Sequence, residues 1–388
     1  MKNLSLLFLL LLGISCNPRP PGSKDGTIVS PPVIHMDGGL IKPKNIILMI
    51  GDGMGITQIT AGMYMNGNKL NLEKFPVIGL HKCHASSGLI TDSAAAATSF
   101  ASGIKTYNGA IGVNSDTISI KTILEEAEEN NLATGMVATS TIVHATPASF
   151  IAHEKRRNLY ENIAADFLDT EIDFFVGGGK KYFDRRESDE RNLVEELREK
   201  NYVISDYFSE ELGEVFISSK KNFGYFTADA DPLPVSKGRG YLYSASKMAM
   251  NHLLKRGSDK GFFLMIEGSQ IDWGGHANDS EYIITEMLDF DKTIGAVYDF
   301  AEKNGETLVI VTADHETGGY SIVQGSRMDS LATKFTTGYH TADMIPVFAY
   351  GPKAGIFSGI YENTAIYDKM REAFGFRGEG REVIDGEK

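Results

Sequence analysis

Uninterrupted apolar runs alternate along the chain with segments in which apolar residues recur every three or four positions. The runs have the character of strands covered on both faces, and the periodic segments have the spacing of amphipathic helices. Strands alternating with helices predict an α/β fold, with a central, mainly parallel twisted sheet sandwiched by helices. The predicted strands are 45–51, 133–140, 173–179, 262–268, 307–315 and 345–351. The predicted helices are 56–66, 93–103, 118–130, 158–169, 188–200, 244–256 and 280–304.

The first part of the chain has the features of an export signal. Lys2 precedes an apolar stretch, 6–12, that is too short to span a membrane, and small residues lead from it to Cys16. We therefore expect residues 1–15 to be a lipoprotein signal peptide and Cys16 to be the lipidated residue, although an ordinary signal peptide cut nearby is the alternative. The expected location is outside the cytoplasm, in the periplasm or anchored to the outer membrane through the lipid.

Proline content and charge divide the rest of the chain. Six of the twelve prolines lie in 16–43, which predicts an extended tether between the anchor and a folded domain at 44–376. Within that domain, the segment at about 180–240 alternates between polar and charged stretches and is expected to be a small peripheral insertion. Residues 377–388 are expected to form a flexible tail.

Composition narrows the classes of partner. With 42% hydrophobic and 23% charged residues in a chain of 388, the protein is typical of globular domains. Its net charge of −13 argues against a nucleic acid as a binding partner. Cys83 is the only cysteine besides Cys16, so lipidation of Cys16 would leave Cys83 without a disulfide partner, and we expect Cys83 to be structural.

An alanine-rich stretch, "DSAAAATSFASG" at 92–103, raises the question of what its first serine does. Alanine is the best helix former, so a helix is expected to begin at Ser93. Asp92 or Ser93 would then be an ordinary N-cap. The alternative is that Ser93 is a nucleophile, whose negative charge the helix N-terminus and a nearby cation would stabilise.

Acidic and imidazole side chains follow several predicted strands, and in an open α/β sheet functional residues collect at the carboxyl ends of the strands. Each of these side chains alone would be explained by a turn, a helix cap or a structural hydrogen bond. Together they offer ligands for divalent metals: imidazole with carboxylate favours zinc, and carboxylate with hydroxyl favours magnesium. The candidates are Asp52, His144, Thr146, Glu267, Asp272, His276, Asp314, His315 and His340.

Six segments resemble the signature blocks of the alkaline phosphatase family, in the family's order and spread over 45–351. The segment 321–339 is short, as in bacterial members that have little of the lobe, or crown, that covers the active site in other relatives. The six segments are "NIILMIGDGMG", "TDSAAAATSFASGIKTYNGAIGV", "ATPASFIAH", "EGSQIDWGGHAND", "TLVIVTADHETGG" and "GYHTADMIPVFAYG".

This resemblance implies a role for each candidate. Ser93 would be the nucleophile that becomes a phosphoserine, Arg157 would bind the phosphate group, and Asp92 would orient Arg157. The family uses two zinc ions and a third metal, usually magnesium. By resemblance, the first zinc site would be Asp272, His276 and His340, the second Asp52, Asp314, His315 and Ser93, and the magnesium site Asp52, Thr146 and Glu267.

Two positions near this expected site vary within the family. His144 is expected beside the third metal, where it could donate to the water shell or replace part of it, so the identity of that metal stays open. Trp273 is expected to wall the phosphate pocket without adding charge, and simple packing is the alternative.

The function implied by the resemblance is that of an alkaline phosphatase. Such an enzyme would hydrolyse a broad range of small-molecule phosphate monoesters through a phosphoserine and release inorganic phosphate. The alternatives are a phosphodiesterase of the same superfamily and a non-catalytic surface lipoprotein that binds phosphate or metal. Relatives are often dimers, so a homodimer is a possible assembly.

Overall fold

A ten-stranded mixed sheet forms the centre of the computed structural model, which describes residues 41–378 and 380–384. The strands are β1 Asn45–Gly51, β2 Val77–Lys82, β3 Ala133–Thr141, β4 Phe174–Gly178, β5 Tyr202–Asp206, β6 Asn222–Phe226, β7 Phe262–Gly268, β8 Thr307–Thr312, β9 Glu316–Thr317, β10 Ser321–Ile322, β11 Thr333–Lys334, β12 His340–Thr341, β13 Ile345–Tyr350 and β14 Gly359–Glu362. The helices are α1 Ile56–Tyr64, α2 Ser93–Ser102, α3 Ile123–Glu129, α4 Ala145–Ala148, α5 Tyr160–Asp166, α6 Lys181–Asp184, α7 Leu193–Glu199, α8 Leu242–Gly257, α9 Gln270–His276, α10 Ser280–Asn304 and α11 Ala365–Phe374.

The strand order of this sheet is β14-β2-β13-β8-β1-β7-β3-β4-β6-β5. All neighbouring pairs are parallel except those of β13, which runs antiparallel to both β2 and β8. Two further two-stranded ladders, β10 with β11 and β9 with β12, lie outside the main sheet. The α/β fold class predicted from the sequence is confirmed.

Side chains of the central strands alternate between two hydrophobic layers, one on each face of the sheet. On β1, Ile46, Leu48 and Ile50 belong to the layer formed with α2, α3, α5 and α11, whereas Ile47 and Met49 belong to the layer formed with α1, α8 and α10. All five side chains are fully buried. Coverage of both faces explains why the sequence of this strand is an unbroken apolar run.

Some element boundaries differ from the sequence predictions. The strand predicted at 307–315 ends at Thr312, so Asp314 and His315 follow the strand instead of belonging to it. The helix predicted at 118–130 begins only at Ile123, after a capping box formed by Thr122 and Glu125, and the helix predicted at 188–200 begins at Leu193. Four strands of the main sheet were not predicted, namely β2, β5, β6 and β14.

The segment predicted as a peripheral insertion, 180–240, contributes β5 and β6 to one edge of the main sheet. The tail predicted as flexible, 377–388, is described in part, and there Val383 pairs with Ile120 while Ile384 N donates to the carbonyl oxygen of Ser119. This part of the tail is therefore packed on the domain.

The predicted signal peptide 1–15, the predicted lipidation site Cys16 and most of the tether 16–43 lie outside the described residues. Within the described part of the chain, none of the helices has the length and apolar character needed to cross a membrane.

Candidate active site

The carboxyl ends of three neighbouring parallel strands bring acidic side chains together. β1 lies between β8 and β7, and Asp52 follows β1 directly. Glu267 is the penultimate residue of β7 and pairs in register with Ile50, while Asp314 lies just beyond the end of β8. The three carboxyl groups are fully buried. Segments far apart in sequence therefore meet at the edge of the sheet where ligand sites form in such folds.

Ser93 is the first residue of α2, and Asp92 is its N-cap. The Oδ1 atom of Asp92 accepts a hydrogen bond from the backbone nitrogen of Ala95 at 3.0 Å. Ser93 is 2% exposed, and its Oγ lies 3.4 Å from Nε2 of His315. Because Asp92 caps the helix, the hydroxyl group of Ser93 is left at the helix N-terminus facing the metal-ligand candidates.

Arg157 is held beside Ser93 by Asp92. Its Nη1 donates to Oδ2 of Asp92 at 3.0 Å, and its Nη2 lies 3.4 Å from Nε2 of His144. Burial lowers the pKa of the guanidinium, but nearby carboxylates, Asp92 foremost, raise it above its ordinary value. The side chain is 29% exposed, so a fixed, charged fork presents donors toward solvent next to the serine.

Asp272, His276 and His340 form a first group of candidate ligands. Nε2 of His276 lies 3.4 Å from Oδ2 of Asp272 and 3.1 Å from Nε2 of His340, which is 3.6 Å from Oδ1 of Asp272. The Nδ1 atoms of the two imidazoles face the carbonyl oxygens of Gly338, at 2.9 Å, and Thr91, at 2.8 Å. Since a carbonyl only accepts, each Nδ1 is the donor and each Nε2 is left to bind a metal, as is usual for ligand histidines.

Asp52, Asp314 and His315 form a second group. Nε2 of His315 lies 3.2 Å from Oδ2 of Asp314 and 3.6 Å from Oδ1 of Asp52. The other oxygen of Asp314 is held by the backbone nitrogens of Gly53, at 3.1 Å, and His315, at 3.0 Å. The imidazole of His315 stacks on that of His340 with ring centres 3.6 Å apart, so the two groups are adjacent.

A third group lies on the other side of Asp52. One ligand atom from each of Asp52, His144 and Glu267 falls within 4.8 Å of the others. The hydroxyl group of Thr146, on α4, is fully buried near the carboxyl group of Glu267. His144 packs edge to face against Trp273, with ring centres 6.1 Å apart. The structure thus places His144 among the potential ligands themselves.

Burial and mutual repulsion dominate the electrostatics of these groups. Burial, followed by the charges of Asp314 and Asp272, holds the pKa of Asp52 well above its usual range. Burial raises the pKa of Glu267 to about 7 and lowers the pKa of His315 well below its ordinary value. Several carboxyl groups concentrated around a single guanidinium, that of Arg157, are the environment that a bound cation stabilises.

Several buried polar atoms of this site have no hydrogen-bond partner, and these atoms show whether metals fit the site. Buried polar atoms in folded proteins nearly always have hydrogen-bond partners, so a cluster of exceptions needs an explanation. The chemistry of these atoms, oxygens beside imidazole nitrogens, suits divalent cations. Among the described residues, the atoms without a partner include both carboxylate oxygens of Asp52, Oδ2 of Asp314, Oε1 of Glu267 and Oγ1 of Thr146.

Two residues that the sequence analysis did not single out contact the site. Oγ1 of Thr317 donates to Oδ1 of Asp272 at 2.5 Å and lies 3.2 Å from Nδ1 of His315. Glu316 is buried beside it. The signal that could have identified them is their position directly after His315, in the segment "DHETGG".

An α/β sheet whose strand ends gather carboxylate and imidazole groups around one serine defines a metalloenzyme with a candidate nucleophile at its centre. The alkaline phosphatase family model matches residues 43–335 of the chain. The chain is 34% identical to alkaline phosphatase 3 of Bacillus subtilis (strain 168), over 85% of this chain and 88% of that protein. The chain therefore belongs to the alkaline phosphatase family and is a metal-dependent phosphomonoesterase.

Solved structures agree with this assignment. The alkaline phosphatase from the Antarctic bacterium TAB5 shares 43% identity, with a TM-score of 0.82 over 87% of this chain and 100% of that chain. A mutant of the same relative, with one histidine exchanged for aspartate, has magnesium bound in what is called the M3 site. Alkaline phosphatase of Escherichia coli (strain K12) is 30% identical over 86% of both chains.

Proposed function

We propose that this enzyme hydrolyses phosphate monoesters by two successive displacements through a phosphoserine at Ser93. Ser93 Oγ would lose its proton and attack phosphorus as the bond from phosphorus to the ester oxygen breaks, and that oxygen would take up a proton and leave as the alcohol. Water would then break the bond between Ser93 Oγ and phosphorus, returning a proton to the serine and releasing inorganic phosphate. The observation that carries this proposal is the position of Ser93 Oγ, buried at the N-terminus of α2 and 3.4 Å from Nε2 of His315. A serine hydroxyl is a weak nucleophile, so it needs such surroundings to be activated.

Arg157 and α2 would stabilise the negative charge of the phosphoryl group. The planar guanidinium can bind two phosphate oxygens at once, and its contact with Asp92 fixes its orientation before the substrate arrives. The backbone N–H groups at the start of α2 add further donors beside Ser93. Because both elements are already in place, little reorganisation is needed during the reaction.

The three groups would hold two zinc ions and a third metal. Asp272, His276 and His340 would hold the first zinc ion, and Asp52, Asp314 and His315, with Ser93, the second. When bound, such ions lower the pKa of coordinated oxygens and neutralise charge that develops on the phosphoryl group.

The third site would include Asp52, Thr146 and Glu267. His144 would determine which metal this site prefers. Its oxygen ligands favour magnesium, whereas an imidazole nitrogen within reach favours zinc. In the TAB5 relative, a mutant in which aspartate replaces a histidine has magnesium in the M3 site. This supports a role for a histidine in the choice of third metal, with His144 as the candidate in this chain.

Exposure of the site supports a broad substrate range. The side chains of His276 and Arg157 are 35% and 29% exposed, although their partners are buried. The segment 321–339, where other relatives have a larger lobe, carries only the short hairpin of β10 and β11. Leaving groups of different shapes would therefore extend into solvent without a steric clash with the described part of the chain.

The test replaces the proposed nucleophile. We expect Ser93→Ala to lower kcat for an aryl phosphate by at least about a thousandfold, because the substitution removes the oxygen that would form the phosphoserine. Ser99→Ala is the matched control: this serine lies in the same helix and is buried, but its Oγ donates to the carbonyl oxygen of Ala95. Acid-quenched enzyme is then examined by mass spectrometry for phosphate on Ser93.

Loss of activity in Ser93→Ala, normal activity in Ser99→Ala and a phosphorylated Ser93 peptide in the wild type would support the proposal. Substantial turnover by Ser93→Ala, or phosphate trapped on another residue, would contradict it.

A further inference from the structure

Glu316 is a buried acid whose four hydrogen bonds leave no capacity for a metal or a proton donor. It is 4% exposed. Oε1 accepts from Nε2 of Gln58 at 2.7 Å and from the backbone nitrogen of Tyr320 at 3.0 Å. Oε2 accepts from Oγ1 of Thr341 at 2.6 Å and from the backbone nitrogen of Gly319 at 3.1 Å. Since a carboxylate offers about four acceptor sites, Glu316 is saturated and acts only through what it holds.

The donors come from the segments that carry the candidate zinc ligands. Gln58 lies on α1, just after the loop that begins with Asp52. Thr341 follows His340 directly on β12. Glu316 itself follows His315. One carboxylate therefore connects three segments of the chain, each of which carries a candidate zinc ligand: Asp52, His315 and His340.

Backbone geometry around Glu316 is adapted to this arrangement. A Cβ atom at Gly55 would overlap Cγ of Glu316, so only glycine lets α1 approach so closely. Gly318 and Gly319 have φ values of 99° and 54°, the left-handed region that favours glycine. This turn brings the nitrogens of Gly319 and Tyr320 onto the carboxylate of Glu316.

The ladder between β9 and β12 connects Glu316 to ligands of both candidate zinc sites. His340 pairs with Thr317, and Thr341 pairs with Glu316. Thr317 in turn donates to Asp272. Fixing β9 against β12 therefore sets the distance between the imidazole of His340 and the carboxylate of Asp272.

We propose that Glu316 is a positioning residue that fixes β9, β12 and α1 relative to one another. Through this effect it sets the affinity for zinc, above all at the site of Asp272, His276 and His340. The inference rests on the proposed zinc sites. Partners that orient metal ligands are typically worth about 10–100-fold in metal affinity. Removing this carboxylate would leave the backbone N–H groups of Gly319 and Tyr320 and the hydroxyl group of Thr341 without their acceptor, whereas Gln58 would keep its bond to the carbonyl oxygen of Thr317. β12 would then be held to β9 by its backbone ladder alone.

The experiment measures the rate at which zinc leaves the holoenzyme to a colorimetric chelator. We expect Glu316→Ala to release zinc about 10–100-fold faster than the wild type. Glu316→Gln keeps one carbonyl oxygen and should restore part of the difference, since Thr341 can turn its hydroxyl group to accept. Excess zinc should recover much of kcat in both variants.

Glu286 provides the matched control, because it is 3% exposed, pairs with Arg239 and lies outside the metal-ligand groups. Glu286→Ala and Glu286→Gln should destabilise the fold but release zinc at the wild-type rate. If Glu316→Ala does not fold, Thr341→Val removes one of the four donors and should still speed release severalfold.

Faster release in the Glu316 variants with partial rescue by glutamine would support the inference. Zinc release at the wild-type rate from the folded Glu316 variants and from Thr341→Val would overturn it, while a wild type that holds zinc and needs it for activity would leave the proposed function intact. A wild type that binds no zinc would instead overturn the proposed function together with the inference.

Discussion

Asp92 uses its two carboxylate oxygens for two different purposes. Oδ1 caps α2 by accepting from the backbone nitrogen of Ala95 at 3.0 Å, and it also accepts from the backbone nitrogen of Gly109, outside the helix, at 3.1 Å. Oδ2 holds the guanidinium of Arg157. One side chain thus fixes both the helix that presents Ser93 and the group that would bind phosphate, and substitutions can separate these roles.

We expect Asp92→Asn to lower kcat/KM for an aryl phosphate by about 10–100-fold, since a hydrogen bond to a charged group is worth about 1.5–3 kcal/mol. Asparagine caps helices as well as aspartate does, so the free energy of unfolding should change by less than about 1 kcal/mol. Asp92→Ala also loses the cap and should lower the free energy of unfolding by about a further 0.5–2 kcal/mol. Steady-state kinetics and urea unfolding measure the two effects. Wild-type kcat/KM in Asp92→Asn would show that the charge of Asp92 has no part in phosphate binding.

The strand β2, which lies between β14 and β13 in the main sheet, contacts the backbone beside the site through His81. This histidine is fully buried, and its Nε2 lies 2.9 Å from the carbonyl oxygen of Ala313, the residue before Asp314. Because a carbonyl only accepts, Nε2 carries the proton, and burial lowers the pKa of the imidazole from 6.5 to about 4. The folded protein therefore keeps His81 neutral where the unfolded chain would protonate it.

This shift predicts a pH-dependent contribution of His81 to stability. A depressed folded-state pKa means that the contribution is complete above pH 6.5 and is lost as the pH falls towards about 4. Over that interval the loss is on the order of 3 kcal/mol. His81→Gln keeps an N–H donor but does not titrate, so the stability advantage of the wild type should shrink by about this amount between pH 7.5 and pH 4.5. Urea unfolding of both holoproteins tests this, because metal loss at low pH is common to them and cancels. A constant difference would refute the assignment.

The elements that could be predicted are those whose own side chains determine them. β1 and β7 begin and end as predicted, because all of their side chains are buried on both faces of the sheet. β2 was missed because the polarity of "VIGLHK" does not follow its burial: Gly79 and His81 are buried, whereas Ile78 is exposed. β9 and β12 have two residues each, and their pairing depends on the turn around Gly318 and Gly319, which no local pattern reveals.

The same limit applies to the site. Residue types and strand ends identify the candidate ligands, and family resemblance groups them. Distance along the chain does not predict which side chains meet: Ser93 and His315 are 222 positions apart and 3.4 Å from each other. Glu316 carries no such signal in the sequence, since the four donors on which its proposed role depends come near it only in the folded chain.

At the scale of the whole molecule, the site concentrates negative charge in a protein that is already acidic. The net charge is −13, and the carboxyl groups of Asp52, Glu267, Asp272 and Asp314 are buried near one another. Burial and mutual repulsion oppose folding unless cations compensate them. The metals are therefore expected to contribute to the stability of the fold as well as to catalysis.

Removal of the metals by a chelator should lower the melting temperature by roughly 5–10 °C for each ion lost, since one ion present at about a thousandfold above its dissociation constant adds about 4 kcal/mol. The effect should be larger at pH 8 than at pH 6. In the metal-free protein the pKa of Glu267 is about 7 against an ordinary value of 4.5, so the contribution of this group to stability is complete below pH 4.5 and is lost as the pH rises through 7. Scanning calorimetry of the chelated and zinc-restored protein at both pH values measures the difference. A melting temperature that chelation does not change would mean that the buried carboxylates are compensated by the protein alone.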